Sequence, residues 1–192
     1  MNNKLLAEII RLNREKVPFC TVSKIEEDQV EIVPLNRSDK SGIQELIMKA
    51  LDEDKLIVVE YEGNETIINP YNTPLNLIIV GAVHISQYLS KIAKLMDFDV
   101  TIIDPREAFA SKERFPNDKV INSWPEDCFS ELNIDNRTAI VTLTHEPNLD
   151  DPAITFAIKS SCFYIGALGS KKTHKNRIAV SYTHLRAHET RP

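Results

Sequence analysis

LNLIIVGAVHISQYLSKIAKLMDFDVTIIDPR, residues 75–106, reads as four consecutive elements. An apolar run at 77–80 meets Gly81, and a helical pattern follows in which Ile85, Leu89, Ile92, Ala93 and Met96 share one face at 3.6-residue spacing. A second apolar run, 100–103, ends in Asp104. Strand, glycine turn, helix and strand of this length form a parallel unit with a right-handed crossover. Asp104 stands roughly 20 residues past the glycine, where a dinucleotide-binding unit keeps the acid that bonds a ribose hydroxyl. The fingerprint is incomplete, because Val83 and Ser86 occupy the second and third glycine places. The second glycine normally lets the backbone approach a pyrophosphate, so Val83 predicts a blocked approach or a phosphate pushed outward. A Rossmann-like fold is therefore expected without ordinary NAD binding, and Gly81 reads either as a ligand turn or as a plain tight turn.

Outward from this unit, the pattern continues as a parallel sheet. Residues 119–121 form a short third strand, and Pro125 opens a brief helix that includes Phe129 and Leu132. The unbroken apolar run 138–143 suits a fourth strand covered on both faces. Asp150-Asp151-Pro152 is expected to open a helix reaching about Lys159, and 163–165 makes a fifth strand. The fold class is α/β, a Rossmann-like doubly wound parallel sheet. Upstream lies a small α/β region: a helix over 4–16 burying Leu5, Ile9 and Leu12, β-runs at 19–22 and 30–33, and a helix from Ser41 to about Leu51. Ser41 followed by Gln44 is a capping-box pattern, and Glu62-Gly63-Asn64 is a turn between the runs 56–61 and 66–68. The two prolines of 69–74 mark a connector. The expected organisation is a small region over 1–73, an incomplete Rossmann-like domain over 74–178, and a tail over 179–192. That tail has no Ile, Asn or Lys and no apolar periodicity, and reads as a translated adaptor.

Composition narrows the function. The 192 residues carry a net charge of -5. The deficit falls on the first 73 residues, with fourteen acidic against nine basic side chains, which disfavours nucleic acid as a partner. This excess reads as a solvated face or as a surface for a basic partner protein. No apolar run approaches a membrane span, and the first 16 residues lack the core of a signal peptide. Cys20, Cys128 and Cys162 show no metal-ligand spacing, so a reduced, cytoplasmic protein is expected.

In a doubly wound sheet the ligand crevice lies beyond the carboxyl ends of the strands, where the strand order reverses. The loops expected there are 81–84, 104–106, 144–151 and 166–170. Their candidate cofactor-binding residues are Gly81, His84, Asp104, Arg106, Thr144, His145, Gly166, Gly169, Ser170 and Lys172. Gly169-Ser170 stands at a helix start, where free N–H groups and nearby lysines favour a phosphate, the alternative being a plain N-cap serine. His84, in a first helical turn, is a candidate donor. His145 reads as a general base, a metal ligand or a hydrogen-bond partner for a ligand. The last is preferred over metal, because no HxH or HxxxH pair accompanies His145. Asp150 and Asp151 read as helix caps ahead of Pro152. His184 and His188 have no third ligand beside them, so no metal site is assigned. No GxSxG, Cys–His or Ser-x-x-Lys arrangement points to a hydrolase, and no catalytic residue is assigned.

The stretches NPYNTPLNLIIVGAVHISQ, FDVTIIDPREAFASKERFP, WPED, RTAIVTLTHEPNLDDPA and FYIGALGSKKTHKNR run in order from Asn69 to Arg177. With these motifs the chain resembles the XdhC/CoxI family of xanthine dehydrogenase accessory proteins, in their C-terminal Rossmann domain. The resemblance implies a maturation factor that binds molybdenum cofactor in its molybdopterin form and protects it during sulfuration. It also implies delivery to a xanthine dehydrogenase-like molybdenum hydroxylase, work with a cysteine desulfurase and a possible homodimer. Such a factor is a cofactor chaperone without turnover of its own; the alternative is an NAD(P)-dependent oxidoreductase. The chain departs from the family's pattern in lacking the glycine- and cysteine-rich stretch of longer members before Asn69. It also lacks the further helix and strand expected after Arg177.

Overall fold

The computed structural model describes residues 3–25, 30–36 and 39–169. The chain divides into two compact units between Thr73 and Pro74.

In the first unit, α1 (Asn3–Arg14), β1 (Phe19–Lys24), β2 (Val30–Pro34), α2 (Gly42–Glu53), β3 (Ile57–Tyr61) and β4 (Asn64–Tyr71) follow in order. The four strands form an antiparallel sheet, β2-β1-β4-β3. The core joins Ile47, Ala50 and Leu51 of α2 to Cys20 and Ile68 of the sheet. The β3–β4 hairpin turns on Glu62 and Gly63, both at positive φ (52° and 77°), as a two-residue primed turn requires. Two expectations fail here. The capping box does not form: Ser41 is the N-cap, but its side chain makes no cap bond. Gln44 turns away instead, donating to the Pro34 carbonyl and accepting from the Asn36 N–H. The connector is also shorter than expected, since β4 runs on through Pro70, which pairs with Cys20. Proline is tolerated there because β3 pairs with β4 no further than Ile68, leaving one side of the strand without a ladder.

The second unit contains β5 (Asn76–Val80), α3 (His84–Leu95), β6 (Asp99–Ile103), β7 (Lys119–Ile121), α4 (Pro125–Cys128) with a 3-10 turn (Phe129–Glu131), β8 (Thr138–Thr142), α5 (Pro147–Lys159) and β9 (Tyr164–Ala167). All five strands are parallel, in the order β7-β6-β5-β8-β9. The chain steps outward from β5 to β7 and then returns to the other side of β5, so the order reverses between β5 and β8. Side chains alternate between two cores. Leu77, Ile79, Val100 and Ile102 meet Ala82, Ala93 and Phe115 on one face. Ile78, Val80, Ile103 and Ile140 meet Phe129, Leu149, Ala153 and Ala157 on the other. Every residue of β8 is buried, as expected of a strand covered on both faces.

Helix α3 is rotated from the expected face, keeping Leu89 and Ala93 toward the sheet. Ala93 is buried and Leu89 partly so, but Ile85, Ile92 and Met96 are half or more exposed. The sheet-facing positions are Ser86, Ser90 and Ala93. Their small side chains let the helix lie close to the strands, and the two hydroxyls have partners. Ser86 donates to the Gly81 carbonyl at 2.5 Å and Ser90 to Asp118 at 2.7 Å. Two other boundaries shift. Helix α5 begins at Pro147, not at Asp150, and Pro152 lies within it. Strand β9 extends to Ala167, which places Gly166 in the sheet opposite Val141.

Candidate functional site

Three loops meet at the carboxyl end of β5, β6 and β8. The first is the Gly81 turn. Gly81 has φ 106°, and its N–H donates to the Ile103 carbonyl at 2.8 Å. A Cβ at this position would fall 2.2 Å from Thr144 Cγ2 and 3.3 Å from the Thr144 nitrogen. Gly81 thus lets the loop after β8 pack directly on the turn after β5, across the point where strand order reverses.

Asp104, at the end of β6, is fully buried. Its carboxylate accepts four N–H bonds: Ala82 N at 2.8 Å, Arg106 N at 3.0 Å, Arg106 Nε at 2.9 Å and Arg106 Nη2 at 2.7 Å. Burial alone would raise its pKa. The guanidinium and backbone N–H bonds outweigh that and hold it below the ordinary carboxylate range, while the same pairing raises Arg106. The Arg106 guanidinium lies 4.5 Å from the centre of the Phe109 ring, and Arg114 lies 5.6 Å from the same ring. Arg114 also donates to the carbonyls of Ala82 and Phe109. The Gly81 turn and the loop after β6 are therefore laced together by Asp104, Arg106 and Arg114.

The third loop is organised by Asp150. This buried carboxylate accepts the Thr144 hydroxyl at 2.7 Å, the Thr144 N–H at 3.4 Å and the His145 N–H at 3.1 Å. Asp150 lies inside α5 and reaches back to the loop; it is not the cap of its own helix, which starts at Pro147 with Glu146 as N-cap. The Thr144 hydroxyl in turn accepts the Glu146 N–H at 2.9 Å. His145 is held at φ 64°, an uncommon left-handed conformation for a non-glycine residue. The neighbouring Thr142 hydroxyl is buried with no partner among the described residues.

Of the expected site residues, Gly81, Asp104, Arg106, Thr144 and His145 are brought together. His84 opens α3 beside them, exposed, with its ring edge-on to Tyr88 at 5.1 Å. Gly166 is not a loop residue but part of β9, where a Cβ would meet Tyr164 and Val141 at 3.0–3.1 Å. Gly169 is exposed at the end of the described chain, and Ser170 and Lys172 lie outside the described residues. Sequence reasoning missed the organising role of Asp150 and the parts played by Phe109 and Arg114. It also missed a cavity of about 530 Å³ between the first turns of α4 and α5. Trp124, Glu126, Pro147, Asn148, Asp151 and Pro152 line it. Its one sequence signal is the tryptophan placed directly between a strand and a proline-initiated helix. Among the described residues no group of His, Cys, Asp or Glu could hold a metal ion, and no helix is long and apolar enough to cross a membrane.

The sequence profile of the XdhC Rossmann domain matches residues 77–189, reaching into the segment that composition sets apart. A probable xanthine dehydrogenase subunit of Bacillus subtilis (strain 168) is 32% identical over 104 residues, which are 54% of this chain and 32% of that protein. A crystal structure of a xanthine dehydrogenase from Bacillus halodurans aligns with a TM-score of 0.68 over 91% of this chain and 55% of that one, at 21% identity. At that identity the likeness speaks of the fold alone. The chain spans about a third of the curated relative and just over half of the solved one.

Proposed function

The chain belongs to the XdhC Rossmann-domain family, and from that premise we propose that it is an accessory factor of a xanthine dehydrogenase system. In this reading it binds molybdenum cofactor as cargo, supports its sulfuration and passes it to a xanthine dehydrogenase-type molybdenum hydroxylase. A cysteine desulfurase is the sulfur source, and the factor has no turnover of its own.

One observation carries the reading: the sheet keeps the topology of a ligand-binding Rossmann unit while its dinucleotide-specific groups are engaged elsewhere. Asp104 holds the place of the ribose-binding acid, yet its carboxylate already accepts four N–H bonds from Ala82 and Arg106. A carboxylate has about four lone-pair sites, so a ribose hydroxyl would have to displace a partner. Thr144 packs on the Gly81 turn, and Val83 caps α3 in the position of the second glycine. These residues do not fit an NAD(P) molecule in the ordinary pose. A ligand of other shape at the carboxyl end of the sheet remains compatible with them.

Mixing the full chain with cofactor released from a molybdenum hydroxylase and separating by gel filtration tests the proposal. Molybdenum should comigrate with the protein at micromolar concentration. Its complete absence from the protein peak refutes the reading, and saturable NADH binding with hydride transfer replaces it by the oxidoreductase reading.

A further inference from the structure

The cavity between α4 and α5 is outside the three braced loops, and its lining has a chemistry of its own. We propose that it is a subsite for a planar 2-amino-4-oxopyrimidine ring, the ring shared by pterins and guanine, stacked on Trp124 and held at its edge by the carboxylates of Glu126 and Asp151. The inference deepens the cofactor reading above and takes from it only that the cargo contains a pterin.

Trp124 follows β7 and is the N-cap of α4, while Pro147, Asn148, Asp151 and Pro152 belong to the start of α5, which follows β8. Both helices begin at the carboxyl end of the sheet, where open α/β sheets bind ligands. The volume of about 530 Å³ lies within the range of small-molecule sites. Trp124 is 43% exposed, so a large aromatic surface at the cavity wall still faces solvent. With Pro147 and Pro152 it supplies rigid, flat apolar walls, which suit a flat ring and cost little ordering on binding.

The polar lining then selects the ring. Among the described residues, none of the six that line the cavity is cationic, and its polar groups are the carboxylates of Glu126 and Asp151 and the Asn148 amide. Asn148 and Asp151 are three apart on α5 and share a face. A 2-amino-4-oxopyrimidine presents a ring N–H beside an exocyclic amino group, two adjacent donors that a carboxylate accepts together. Its ring carbonyl is an acceptor for the Asn148 amide. Adenine offers an acceptor beside its amino group, which pairs with an amide and leaves a carboxylate facing a lone pair. The lining therefore favours pterin or guanine over adenine.

Trp124 is the only tryptophan in the chain, so intrinsic emission reports on this cavity directly. The full chain is titrated with 6-hydroxymethylpterin, with GMP and with AMP. Saturable quenching by the pterin alone supports the subsite and names the pterin as its source. Quenching by pterin and GMP but not AMP supports it as a site for the shared ring, and quenching by GMP alone supports it with a nucleotide as the source. No quenching, or equal quenching by AMP, overturns it. A Glu126→Gln, Asp151→Asn variant, folded by circular dichroism, should lose at least about tenfold in affinity for the ring that binds; unchanged affinity overturns the edge recognition. The two proposals separate cleanly. Pterin binding without molybdenum retention removes the cofactor reading and leaves the subsite, whereas retention with unmoved Trp124 emission removes the subsite alone.

Discussion

Gly81→Ala tests whether the turn after β5 is a packing device. At φ 106° an L side chain is strained by about 1–3 kcal/mol before any contact is considered. The new Cβ would also lie 2.2 Å from Thr144 Cγ2, far inside a normal carbon contact of about 3.5–4.0 Å. Thr144 can swing that methyl aside by rotating its side chain, but rotation abandons the bond from its hydroxyl to Asp150 and the one it accepts from Glu146. Bonds of this kind contribute about 0.5–1.5 kcal/mol each, more when one partner is charged. The expected loss is therefore about 3–6 kcal/mol, a large share of a domain's stability. Trp124 lies in the same unit as Gly81, so urea unfolding followed by its emission reads that unit alone. The midpoint should fall by about 1 M or more. Thr144→Ser keeps the hydroxyl and removes the methyl, at a cost of about 1 kcal/mol. Combined with Gly81→Ala it should restore the steric part and leave the φ strain, a coupling of more than about 1 kcal/mol. A Gly81→Ala midpoint equal to wild type, or strict additivity in the double variant, refutes the packing argument.

Two further predictions rest on the same geometry. Asp104→Asn removes the charge partner of Arg106 and turns an amide donor toward N–H groups; with Arg106 about one-third exposed, the expected cost is about 2–4 kcal/mol at neutral pH. Because the folded-state pKa of Asp104 is depressed, its contribution is complete above about pH 4 and is lost as pH falls through the lower folded value, so wild type and variant should converge in urea midpoint on acidification. On α3, Ser86→Leu should cost about 1–3 kcal/mol by wedging the helix off the sheet, while Ile92→Ala should stay within about 0.5 kcal/mol; the reverse order of melting temperatures would restore the face expected from periodicity.

That rotated face shows where sequence reading reached its limit. The strands of the second unit were legible because parallel strands covered on both sides appear as apolar runs, and residues 77–80, 100–103 and 138–143 do so. Helix α3 offers two stripes at helical spacing. One is the apolar stripe and the other shares Ala93 with it and adds Ser86 and Ser90, and hydropathy alone selects the apolar one. What selects the other is closeness to the sheet, which favours small side chains whose hydroxyls find partners at Gly81 and Asp118. The part played by Asp150 is hidden in the sequence for a related reason. Two prolines, Pro147 and Pro152, each offer a helix start, and only the position of the first turn decides whether Asp150 is a cap outside the helix or a buried acceptor inside it. Gly166 followed a three-residue apolar run too short to show whether the strand had ended.

The site itself was legible as a place more than as a set of interactions. Strand order alone puts Gly81, Asp104 and Thr144 near one another, because in this topology the ends of β5, β6 and β8 are neighbours. What those residues do there depends on side-chain geometry. Asp104 is saturated by Ala82 and Arg106, Gly81 is covered by Thr144, and Thr144 is fixed by Asp150. Each link tightens the position where a pyrophosphate would otherwise approach the first glycine. In the subsite proposed above, a ligand of this unit would sit away from the β5–α3 turn, on the side of the sheet carrying α4 and α5. There Trp124 stands half in solvent, and the described residues around it carry carboxylates and an amide. In the proposed subsite that lining faces a ring, in contrast to the usual Rossmann arrangement in which the turn after the first strand grips the phosphate.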